Sequence, residues 1–69
     1  VIPISVRADF EDNGTLIPLH YCHDGIYVRI DRIISVKTDG MTVVFSCRCK
    51  DTIKRILFSQ FKWYLVVTE

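Results

Sequence analysis

Hydrophobicity with a period of two runs through most of this chain, and a pattern of that kind leaves room for little besides an antiparallel sheet. Ile2, Ile4, Val6, Ala8 and Phe10 share one face of an extended segment, with Ser5, Arg7 and Asp9 on the other. Glu11-Asp12-Asn13-Gly14 then reads as a turn. A second strand is expected over about Thr15–Cys22, with Ile17, Leu19 and Tyr21 on one face. Pro18 lacks an N–H, so its donor side must meet an edge, a bulge or solvent. His23-Asp24-Gly25 turns into a third extended stretch, from Ile26 to Val36. Strict alternation there would drive Arg32 into the core between Ile30 and Ile34, which is costly for an unpaired charge. A bulge or break near Asp31-Arg32 is therefore expected.

Asp39-Gly40 is a hairpin signal. The strand after it should run from Met41 to Cys49, with Met41, Val43, Phe45, Cys47 and Cys49 on one face. Lys50-Asp51 leads into a strand over Thr52–Phe58. Ser59-Gln60 then leads into a last strand, where Phe61, Trp63, Leu65 and Val67 share a face. Nothing suggests a helix. The expected fold is all-β: one small domain over residues 1–69, an antiparallel meander of five or six strands curled into a barrel or rolled sheet. Its expected core is Ile4, Val6, Ala8, Ile17, Leu19, Val28, Ile30, Val43, Phe45, Cys47, Phe58, Trp63 and Leu65. Trp63 should anchor it, since a buried aromatic contributes the most apolar area.

Composition narrows the function classes. With 49% hydrophobic and 25% charged residues the chain is an ordinary globular domain rather than a disordered tail. No apolar run reaches the ~18 residues of a membrane helix, and no membrane partner is expected. Net charge is +1, which gives no general attraction to nucleic acid or lipid. The distribution is uneven. Residues 1–40 hold four basic and six acidic residues, net −2; residues 41–69 hold five basic and two acidic, net +3. The three cysteines, Cys22, Cys47 and Cys49, are an odd set, which points to reduced thiols and a cytoplasmic setting.

Several motifs recur together: Ile2-Pro3-Ile4, Asp12-Asn13-Gly14, Ile17-Pro18-Leu19, Asp24-Gly25, Ile30-Asp31-Arg32-Ile33-Ile34, Phe45-Ser46-Cys47-Arg48, Leu57-Phe58 and Lys62-Trp63-Tyr64-Leu65. In that order they resemble a family of small uncharacterised proteins from clostridia and related Firmicutes, over almost the whole chain. Two departures stand out. Cys22-His23 replaces a tryptophan before the Asp-Gly turn, and the loop at Lys37–Gly40 is short. The resemblance implies a bacterial protein and carries no activity, cofactor or site residue with it.

Chemistry is sparse. His20-x-Cys22 and Cys47-x-Cys49 would supply four soft zinc ligands. Thiols two apart on a strand sit ~7 Å from one another, however, and Cys47 and Cys49 continue the Val43-Phe45 face as small hydrophobes. No metal or cofactor is expected. Neither Cys22-His23 nor Glu11-Asp12 has the oriented partner that a nucleophile or an acid–base pair needs, so no catalytic residue is assigned. The leading expectation is a non-catalytic interaction module that binds a protein partner or itself, through outward apolar residues such as Ile33, Val44, Tyr64 and Val66. The alternative is a nucleic-acid-binding accessory module, with Arg48, Lys50, Lys54 and Lys62 contacting phosphates and Tyr64 or Tyr27 stacking on bases.

Overall fold

Seven antiparallel strands form one continuous sheet in a computed structural model that describes residues 1–67. They are β1 (Ile2–Phe10), β2 (Leu16–His23), β3 (Ile26–Arg29), β4 (Arg32–Asp39), β5 (Thr42–Cys49), β6 (Thr52–Ser59) and β7 (Lys62–Val66). Their order is β3-β2-β1-β7-β6-β5-β4. A flat sheet of this kind would be about 29 Å wide and ~10 Å thick. The molecule instead measures 30 × 21 × 21 Å, so the sheet is curled into a half-barrel around its apolar face.

The expected break in the third stretch is present and turns one strand into two, which is why there are seven rather than five or six. β3 and β4 are neighbours in the chain but lie at opposite ends of the sheet order. Ile30-Asp31 joins them. The Ile30 N–H donates to the Leu19 carbonyl and the Asp31 N–H to the Arg48 carbonyl, each at 2.9 Å, so this corner ties the two ends of the sheet together. Asp31 also accepts from the Lys50 N–H at 2.7 Å and lies 3.9 Å from Arg29, rather than pairing with Arg32. Arg32 is exposed, relieved of the inward position that unbroken alternation would have given it.

The core consists of Tyr21, Ile30, Phe45, Cys47, Cys49, Ile56 and Leu65. Ile4, Val6, Val28, Ile33, Val43, Phe58 and Trp63 pack against it partly buried. Trp63 meets Phe58 and Phe45 with ring centroids 4.7 and 5.8 Å away. Several expectations need correcting. Ala8, Ile17 and Leu19 lie outside this cluster because the β1–β2 register slips between Arg7 and Ala8. Arg7 pairs with His20 and Ala8 with Pro18, leaving Leu19 as the extra residue and Pro18 fully buried beside it. Ile33 faces inward opposite Cys47, not outward. Phe10 and Met41 end up 74% and 87% exposed, at the close of β1 and in the β4–β5 turn. Val67 follows β7 and is exposed.

The last hairpin differs most. Phe61 is not a strand residue but the second of two turn residues, 94% exposed. Gln60 and Phe61 have φ of 53° and 63°, the pairing of positive values that a type I′ turn demands. The same signature occurs at Asp24-Gly25, where glycine makes it inexpensive.

Candidate interaction surface

Strand register decides what the outer face of the sheet presents. Behind the inward residues run outward rows. Lys37, Val44, Leu57, Tyr64 and Pro3 are successive cross-strand partners from β4 to β1. Ser46, Arg55 and Val66 form a second row, with Ser35 beyond Ser46. Arg32, Arg48 and Ile53 form a third. Across the bent end of β1, Arg7 pairs with His20 and His20 with Arg29, while Ser5, Cys22 and Tyr27 line up beside them.

Charge is sorted by this arrangement. Seven basic residues, Arg7, Arg29, Arg32, Lys37, Arg48, Arg55 and Lys62, project from the outer face. Of the carboxylates, only Asp9 and Asp39 lie within strands on that face among the described residues. Glu11, Asp12, Asp24 and Asp51 occupy turns, Asp31 the corner and Asp39 the end of β4; Glu69 lies outside the described residues. Arg32 and Arg48 are direct cross-strand partners, an arrangement of like charges that costs stability. Among the described residues only Arg29 and His23 have a carboxylate within 4 Å, Asp31 and Asp24 respectively.

The residues expected to contact nucleic acid do not form one patch. Arg48 is outward on β5 and Lys50 is in the β5–β6 turn with φ 57°. Lys54 pairs with Cys47, which places it on the inner face. Lys62 and Tyr64 are outward on β7, separated from Arg48 by the intervening β6. Dividing the chain into an acidic and a basic half hid the sorting that matters, because Arg7, Arg29 and Arg32 come from the acidic half. Only the register reveals it.

The inner face offers little for chemistry. Cys47 and Cys49 face the core, whereas His20 and Cys22 face outward, so the four groups cannot converge on one ion. Burial pushes the Cys47 thiol up from 9.0 to about 11, with the neighbouring Cys49 adding to the effect. Burial raises Cys49 as well, helped by Asp31 and opposed by Lys54, and it raises Tyr21. Thiols held protonated are poor nucleophiles and poor metal ligands at neutral pH. A cleft of about 840 Å³ opens between β3 and the β5–β6 turn, lined by Tyr21, Tyr27, Asp51 and Lys54 among others.

These thiols set a pH dependence. The unfolded chain releases the Cys47 proton near pH 9, while the folded chain holds it until about pH 11. Stability is therefore complete below pH 9 and falls as pH rises towards 11. Thermal melts across that window should show the decline, and it should be shallower in Cys47→Val. An equal decline in that variant would separate the effect from this thiol.

No helix among the described residues is long and apolar enough to cross a membrane. No protein-family model, curated protein or solved structure matches the chain.

Proposed function

We propose that this chain is a non-catalytic interaction module that docks an anionic macromolecule on the outer face of its sheet. The observation that carries this reading is the sorting of charge: seven basic side chains on the outer face of the strands against two carboxylates, Asp9 and Asp39, in a chain whose net charge is only +1. Unrelieved like-charge pairs such as Arg32–Arg48 are a cost in the free chain that a bound anion removes. The raised thiols and the outward placement of His20 and Cys22 support a binding role over catalysis.

Retention on a sulfated-polysaccharide column at low salt tests the reading. The protein should bind and elute well above the salt expected from a net +1, and Arg32→Glu with Arg48→Glu should bring it close to the void volume. Passage of the unaltered protein in the void would overturn it. Association with a protein partner or with itself has separate support in the outward row Val44, Leu57 and Tyr64. A dimer in sedimentation equilibrium that Leu57→Glu dissolves would establish the self-associating form; a monomer would exclude it.

A further inference from the structure

Six side chains that are scattered in the sequence form a continuous belt across the outer face. Arg7, His20 and Arg29 are successive partners over β1, β2 and β3. The Ile30-Asp31 corner then carries the line to Arg32, whose partner is Arg48. Arg55 is the diagonal neighbour of Arg48, because Arg48 pairs with Ile53 and Ser46 with Arg55. At ~4.8 Å per strand step the belt runs for about 20–30 Å. We propose that it binds the phosphodiester backbone of a single-stranded nucleic acid, with Tyr27 as a stacking platform. The proposal rests on the interaction-module reading and names its partner.

Three features favour a nucleic acid strand over an acidic protein surface. The belt is narrow. Most carboxylates lie beside it, Glu11 and Asp12 after β1, Asp24 and Asp51 at the opposite strand ends and Asp9 next to Arg7 on β1, while Asp31 sits at the corner itself, 3.9 Å from Arg29. A broad acidic surface would meet all of those carboxylates, whereas a single backbone one phosphate wide can follow the arginines and meet chiefly Asp31, whose Oδ2 already accepts from the Lys50 N–H. The cations are arginines throughout, and their planar forks match phosphate oxygens bidentately. An aromatic platform lies alongside. Tyr27 is 64% exposed and belongs to the outward row next to Arg7, His20 and Arg29. His20, between the two arginines, has a solvent-shielded Nδ1 with no hydrogen-bond partner among the described residues. Base-on-aromatic stacking combined with a basic track is the way small barrels hold single strands, over about four nucleotides or more.

Fluorescence titration with labelled oligo-dT and oligo-U, against a duplex of equal length and a polyglutamate peptide, tests the proposal. Micromolar or tighter binding to the single strands is expected, with a log–log salt slope no steeper than about −3.5, or −0.7 for each of five arginines. Arg48→Gln and Arg32→Gln should each flatten the slope by about 0.7. Both should leave the melting temperature unchanged or raised, since they relieve a repulsive pair; a merely structural arginine would lower it. Tyr27→Ala should weaken binding about tenfold while leaving the slope intact. Tighter binding to polyglutamate than to either oligonucleotide would overturn the proposal in favour of an acidic protein. Retention on the polyanion column without oligonucleotide binding would overturn it while leaving the interaction-module reading standing. Failure of both would remove both.

Discussion

Phe45→Ala is expected to lower the unfolding free energy by about 3–5 kcal/mol. Phe45 is 2% exposed in the middle of β5, opposite Ile56 on β6 and Val36 on β4, and its ring lies 5.8 Å from that of Trp63. Deleting it removes both its transfer free energy and contacts to its neighbours that a closely packed sheet cannot recover by relaxing. A domain of this size has roughly 3–10 kcal/mol in total, at about 0.05–0.15 kcal/mol per residue. The variant should therefore be largely unfolded at room temperature, as judged by far-ultraviolet circular dichroism and a urea titration. Trp63→Ala should cost less, because Trp63 is only partly buried at the margin of the core. Phe61→Ala should change stability by no more than about 0.5 kcal/mol. A Phe45→Ala midpoint equal to that of the unaltered protein would mean that the core lies elsewhere.

The second large effect has the opposite sign. Replacing Gln60-Phe61 by Asn-Gly should stabilise the chain by about 1–3 kcal/mol. An L-residue held in the left-handed region costs roughly 1–2 kcal/mol, and two occur here in succession. Asn-Gly occupies the same conformation with little strain and is the preferred type I′ pair. The gain is reduced by whatever the edge-on contact between Phe61 and Phe58, at 6.4 Å, contributes. A higher urea midpoint with an unchanged slope is the expected result. A lower midpoint would show that the aromatic contact outweighs the backbone strain.

The same turn shows where a sequence reading loses its grip. Gln60-Phe61 contains neither Gly nor Asn, so the expected turn falls one residue early, at Ser59-Gln60, and the phase of the Trp63 and Leu65 alternation extends naturally back over Phe61. The bulge at Leu19 is hidden for a related reason: Ile17, Leu19 and Tyr21 keep perfect alternation while their backbone slips by one against β1. Ile56 is fully buried, yet its face also carries Lys54 while Ile53 and Leu57 lie on the opposite one, so alternation does not reveal which face is inward. The break at Asp31, by contrast, was legible, because a charged residue on an otherwise apolar face leaves few inexpensive alternatives. β5 was legible because all four of its inward positions are apolar and its ends carry turn residues. The arginine belt was not, since residues 7, 20, 29, 32, 48 and 55 meet only through the register of four strand pairings and the corner.

That corner has a kinetic consequence. Five of the six pairings in the sheet join strands connected by a short turn, and each can form early and independently. The β1–β7 pairing alone brings together residues some sixty positions apart, Ile2 with Leu65 and Ile4 with Trp63. Closing a loop of that length costs entropy that must be met before the contact gives anything back. Until it forms, the chain is two ribbons, β1–β2–β3 and β4–β5–β6–β7, joined covalently only through Ile30-Asp31. Folding should then be limited by the docking of the first ribbon on the second. Substitutions at Ile2 or Ile4 should therefore chiefly slow refolding, and a change confined to the rate at which the folded chain opens would place the latch after the barrier.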